Sequence, residues 1–258
     1  MTRFAILCLI VLAVNTSNAD EWGSISGQIV VDGEIPPREL LFAKGSNVKD
    51  AEVCATDDYF ADDLLIDEAS KGLSNVFVYL RKSPSNIHPD LKSAPEESVK
   101  FESQKCRFVP HCLVCRRGQV IEFSSSDSVH HNPHPLSLAN PASGLIVPPN
   151  KTPLVFKYAR AETLPIKVVC DYHPWMKAYW LVLDHPYAAI TDREGRFQIE
   201  NLPVGRHEFS IWHERTGYIE KACEVIVTAA ESEPLVPVVV SSKRLSKAAI
   251  PPTGDQLP

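Results

Sequence analysis

Methionine is nearly absent from this chain of 258 residues: there are two, and one is the initiator. Met176 is therefore the only internal thioether, a scarcity that singles it out. Strong charge of either sign is also missing. A formal net charge of −6 is mild for this length and argues against a nucleic-acid partner, which a basic field would serve. No apolar run reaches the ~20 residues that a membrane-spanning helix requires. The 21 prolines suit strand-bounding turns and few long helices. What is present is ordinary globular material, 44% hydrophobic and 22% charged. It is enough for two small domains or one large β domain.

The first 19 residues read as a cleaved export signal. Arg3 supplies the positive end, Phe4 to Val14 the apolar stretch, and Ser17-Asn18-Ala19 the small-residue cleavage site. A periplasmic or secreted protein follows, and with it permission for disulfides. The mature chain keeps Cys54, Cys106, Cys112, Cys115, Cys170 and Cys223. Cys112 and Cys115 form C-x2-C on an apparent strand, where i and i+3 point to opposite faces, so they do not pair without a turn. Arg116 stands where a c-type haem motif needs His.

The chain is organised around Cys170 to Met176, C-D-Y-H-P-W-M. This loop follows the alternating run Ile166 to Cys170, which reads as a strand. It carries a thiol, an imidazole and a thioether, so one loop offers three donors to one ion. A second imidazole is available upstream in S-D-S-V-H-H-N-P-H-P, at His131. Two His, one Cys and a weak axial Met make the ligand set of a blue-copper electron-transfer site.

A C-x2-H-x2-M loop after a strand, with H-N 39 residues upstream of the Cys, resembles the cupredoxin family, and the short loop is most similar to that of amicyanins. The resemblance implies one type 1 copper ion. His131, Cys170 and His173 are its equatorial ligands by this likeness, and Met176 its axial one. It further implies that the backbone N–H of Asn132 hydrogen-bonds the thiolate. It makes His173 an exposed electron port, with a redox partner protein docking near it on a patch of Pro133, Pro135, Leu136, Pro174 and Trp175. If Cys170 is a ligand, five cysteines remain, and an odd number leaves at least one unpaired within the chain. His130 and His134 are extra imidazoles beside the motif, open to a second role or to none.

Short strands are expected at Val76 to Leu80, Arg107 to Cys115, Gln119 to Phe123, Leu154 to Tyr158, Leu164 to Cys170 and Ala178 to Leu183. Leu40 to Lys71 reads as an acidic, solvated connection, and Ser83 to Lys100 as a long loop. T-D-R-E-G-R-F-Q-I-E-N-L-P-V-G, from Thr191, resembles the second half of a carboxypeptidase-regulatory-like (transthyretin-like) β-sandwich. G-Q-I-V-V-D-G near the N-terminus resembles its first half. The expected fold class is all-β, a Greek-key cupredoxin sandwich plus this second sandwich. Residues 20–100 form an N-terminal β segment, 101–184 the cupredoxin, 185–242 the second module and 243–258 a disordered tail. If the second module is split by the first, strands near Gln28 and Phe197 pack together. The rival layout gives Val76 to Leu80 to the cupredoxin.

Function then divides three ways. An electron carrier, and no enzyme, is the leading reading. A copper store without a redox partner is the second, and a structural sandwich with a degenerate site the third. A trinuclear copper oxidase needs H-x-H pairs, and the chain has none.

Overall fold

A computed structural model of the chain describes residues 22–141, 146–149, 153–229 and 234–246. The expected export signal, 1–19, and most of the expected tail lie outside the described residues.

The chain is all-β. It begins with β1 (Trp22–Asp32), which alternates and buries Ile25, Ile29 and Val31. Then come β2 (Leu40–Phe42), a one-turn helix α1 (Ala51–Cys54), β3 (Tyr59–Phe60) and β4 (Phe77–Leu80). The next group is β5 (Ser98–Gln104), β6 (Arg107–Val109), β7 (Cys112–Arg116), β8 (Val120–Ser125) and β9 (Pro133–Pro135). It continues through β10 (Leu154–Lys157), β11 (Ile166–Cys170) and β12 (Lys177–Leu183). Last are β13 (Ala188–Ile190), β14 (Arg196–Pro203), β15 (Gly205–His213), β16 (Gly217–Val227), β17 (Val238–Ser241) and a short α2 (Ser242–Leu245).

Two sheets, in the orders β10-β8-β5-β6 and β7-β12-β11-β9, face each other. Between them lies a core around the fully buried Trp180, with Phe101, Phe123, Phe156 and Cys170. Phe101 meets Trp180 edge-on with centroids 4.9 Å apart, the geometry that ring quadrupoles favour. Two further sheets, β14-β1-β17 and β13-β4-β15-β16, enclose a second core with Ile29, Leu73, Phe209 and Val227. β1 pairs antiparallel with β14, Gln28 opposite Arg196 and Ile25 opposite Ile199. The two ends of the chain therefore share a sheet. The turn leading into β14 needs Gly195, whose φ is +77°; a Cβ there would lie 2.2 Å from the Ile29 carbonyl oxygen.

The junction between the two sandwiches explains the strands that are apolar throughout. In β4, Val78 and Leu80 enter the second core, while Phe77 and Tyr79 join a third cluster with Cys112, Leu181, Leu183 and Trp212. In β12, Ala178, Trp180 and Val182 face the first core and Leu181 and Leu183 the junction. Strands covered on both faces lose the polar half of the alternation. Cys112 and Cys115 follow the same rule: one faces the junction, the other the first core, and both remain free thiols.

Several expectations are corrected. The rival layout is the one that fails: Val76 to Leu80 does not join the sheets around Cys170, and β4 sits between β13 and β15. Arg107 to Cys115 is two strands, interrupted at Pro110, which lacks the N–H a strand interior donates. The end of the expected loop 83–100 already belongs to β5, which pairs in parallel with β8. Residues 243–245 lie in α2 and bury Leu245, so that part of the tail is packed. The largest correction concerns 40–71. It is no solvated connection: it buries Cys54, Tyr59, Ala61 and Asp63. Most of its aspartates are paired. Asp63 accepts from Lys177 at 2.9 Å and from Arg215 at 3.0 Å, and Lys177 also meets Glu214 at 3.1 Å. Buried charge is tolerated when partnered in this way.

Candidate metal centre

Pairing of β9 with β11 builds the site, because it sets Pro133 opposite Cys170. The residues just before β9, His131 and Asn132, are thereby brought beside the end of β11. His131 is fixed further by two backbone hydrogen bonds with Val147, of 3.1 and 2.7 Å. The loop after Cys170 turns back at once. Met176 donates its N–H to the His173 carbonyl at 2.9 Å, and Cys170 donates to the Met176 carbonyl at 3.3 Å. That closure returns His173 to the thiol.

The sequence-predicted thiol and imidazoles meet. Cys170 Sγ lies 4.0 Å from His131 Nδ1 and 3.6 Å from His173 Nδ1, and all three donor atoms fall within 4.8 Å of one another. The backbone N–H of Asn132 donates to Cys170 Sγ at 3.4 Å. Cys170 is 2% exposed, and both imidazoles 0%. Met176 is 1% exposed and packs in the same core as Cys170. Burial pushes the Cys170 thiol up, but His131, His173 and the Asn132 N–H outweigh it and hold the thiol down at about 6. A thiolate among imidazoles follows.

Each imidazole is held from behind by a carboxylate. His131 Nε2 donates to Asp127 at 2.9 Å, and His173 Nε2 to Asp50 at 2.9 Å. These partners hold a proton on Nε2 of each ring and turn Nδ1 toward the sulfur, the nitrogen that a metal ion would take. Asp127 also accepts the backbone N–H groups of Lys105 and Cys106, at 2.6 and 3.0 Å. Burial raises its carboxyl, yet these bonds, that of His131 foremost, leave it below the ordinary carboxylate range. For His131, burial opposes the charged form, while Asp127 and Cys170 together raise its pKa. Sequence reasoning missed both carboxylates. Asp127 carried a signal, four residues before His131 in the same motif. Asp50 carried none.

The exposed histidine edge is corrected. Segment 40–63 covers His173: Phe42 and Tyr59 pack on Trp175 at 5.0 and 6.3 Å between centroids. Lys49 Nζ sits 4.2 Å over the Tyr172 ring. Of the docking patch, Pro133 and Pro135 are buried, and Leu136 is 45% exposed. A disulfide joins Cys54 in α1 to Cys106 in the β5–β6 turn. Both its sulfurs lie within 4.8 Å of a His173 nitrogen, but bonded to each other they are withdrawn as thiolate donors. His130 is exposed. His134 and Asn132 both meet the exposed Asp171, at 3.2 and 2.7 Å, which ties the two ligand-bearing loops together.

No protein-family profile matches the chain, and no curated protein does. Among solved structures, the neighbours are copper proteins matched weakly and in part. A copper-containing nitrite reductase from Thermus scotoductus SA-01 matches at TM-score 0.29 and 18% identity, over 33% of this chain and 22% of the reductase. A reduced amicyanin variant matches at 0.30 and 16%, over 34% of this chain and 85% of its own. A purple cupredoxin from Nitrosopumilus maritimus matches at 0.27 and 16%, over 32% and 97%.

Proposed function

We propose that this protein is an exported mononuclear type 1 copper protein that carries electrons and is no enzyme. The observation that carries the reading is the convergence of Cys170 Sγ, His131 Nδ1 and His173 Nδ1 within 4.8 Å of one another in a buried pocket. The donor chemistry fits the metal: one thiolate and two neutral imidazoles are soft enough for Cu(I) and adequate for Cu(II). Copper held there supplies reversible one-electron chemistry. The protein's own residues do the rest. Cys170 presents sulfur already ionised near neutral pH, and Asn132 donates to it and tunes its electron density. Asp127 and Asp50 lock the two rings, so little moves between oxidation states. Burial of all three donors keeps water and substrates from them, which supports a carrier over an enzyme. Met176 would supply the fourth, weaker donor in this reading. Export agrees with the Cys54–Cys106 disulfide, a bond of oxidising compartments. A redox partner approaching His173 meets Asp50 and the exposed Pro174 before the ring.

The test is copper loading of the purified protein. An intense thiolate-to-copper visible band and a reversible one-electron potential are expected, at one copper per chain. Copper bound without a reversible couple would leave a storage protein, and no thiolate band would end the reading.

A further inference from the structure

The two imidazoles are held alike but by unlike means. Asp127 is four residues from His131 and almost buried. Asp50 comes from 123 residues before His173, on the segment that covers the site. We propose that Asp50 is a positioning residue for the metal centre: it sets the orientation and the proton of His173, and its charge holds the centre toward the oxidised state. The inference rests on the copper reading above.

Asp50 is built into place. Its backbone is left-handed, φ 54° and ψ 42°, a conformation that Asp tolerates better than most residues. Its carbonyl accepts the N–H groups of Val53 and Cys54 at 3.0 and 2.9 Å, so it opens α1. Cys54 is bonded to Cys106, whose own N–H is held by Asp127. One covalent bridge therefore joins the supports of the two carboxylates. Tyr59 adds a hydrogen bond to the Cys106 carbonyl at 2.9 Å. An imidazole that donates to a carboxylate is a stronger electron donor through its other nitrogen. A fixed negative charge beside the centre also favours the state of higher positive charge. Both effects lower the reduction potential, and solvent screens part of the second, since the Asp50 side chain is 30% exposed.

The experiment compares copper-loaded full-length wild type with Asp50→Asn, Asp50→Glu and Asp57→Asn. Asp50→Asn keeps an acceptor oxygen and loses the charge. Its equilibrium constant for reduction is expected to rise about tenfold, which is about 59 mV for one electron. Asp50→Glu should restore most of the wild-type potential. Asp57→Asn removes one charge from the same segment, where Asp57 pairs with exposed Lys105 at 2.9 Å, and should leave the potential in place. If Asp50→Asn loses the visible band and Asp50→Glu regains it, the positioning role stands; if neither has it, the residue is merely structural and the inference is overturned. An unchanged potential in Asp50→Asn, or an equal shift in Asp57→Asn, overturns it while the copper reading survives. No band in wild type removes both.

Discussion

The inner and outer flanks of the candidate centre make the same contact from different depths of the fold. On the inner flank, His131, Asp127 and the strand β9 that presents them lie within a few residues. On the outer flank, His173 depends on Asp50, on a cover that folds back over the ligand loop and on a disulfide that pins the cover. The difference teaches that a carboxylate behind a histidine is legible when it shares a turn with it. It is invisible when loop closure brings it from another part of the chain. It also separates local assembly from long-range assembly, and the two flanks should fail in different ways.

The largest expected effect falls on what the flanks share. Cys170→Ser replaces an ionised thiolate with a hydroxyl that stays protonated at neutral pH. The visible thiolate band should vanish entirely in the copper-loaded protein; a retained band would mean that both histidines have been assigned to the wrong centre.

Opening the disulfide should strike the outer flank. Its loop spans 52 residues, and by the chain-entropy account replacing both Cys54 and Cys106 with Ala, so that no free thiol is left beside His173, costs about 4 kcal/mol of stability. Chemical denaturation of the metal-free protein measures that cost. The potential of the loaded variant should move upward, as in Asp50→Asn, because the cover that delivers Asp50 is loosened. A drop in stability with no change in potential would separate the cover from the centre.

A pH titration compares two buried thiols. In the metal-free protein, Cys170 is held down at about 6 by His131, His173 and Asn132 against burial, whereas burial alone pushes Cys115 up to about 12. Thiolate absorbance should therefore appear near pH 6 and be lost in Cys170→Ala. A depressed thiol pKa adds stability that is complete above the unfolded value, about 8.5, and that is lost as pH falls through about 6. Absence of a thiolate below pH 8 would break the electrostatic account of the thiol that both flanks share.

Met176→Leu should have the smallest effect. The substitution nearly conserves volume in a packed core, which costs under about 1.5 kcal/mol, and a weak axial thioether is dispensable for binding. Copper and the visible band should remain, with the potential shifted. Loss of copper would promote Met176 from tuner to anchor.

Much of the centre was legible in the sequence. The C-x2-H-x2-M loop and the earlier H-N pair pointed to a thiol and two imidazoles that the fold brings within 4.8 Å of one another, because Cys170 ends one strand and His131 lies just before its neighbour. Alternation also placed Cys112 and Cys115 on opposite faces. The acidic stretch 40–71 misled because charge usually marks solvent. Asp62 and Asp63 instead meet Arg38, Arg107, Lys177 and Arg215, partners from four other parts of the chain. His173 was expected to be exposed because the cupredoxin resemblance implies it, and the segment that covers it here lies outside the stretch that carries that resemblance.

The sequence by itself determined the all-β class, most of the longer strands and the run of thiol, imidazole and thioether side chains on the loop after β11, because these follow from side-chain period and from residue chemistry over short spans. Only the tertiary structure decided that Asp50 stands behind His173, that Cys54 meets Cys106, and that β4, β7 and β12 are covered on both faces. Those contacts join segments far apart in the chain. Their energy comes from packing and charge pairing that exist only after the long loops have closed, and no local pattern encodes them.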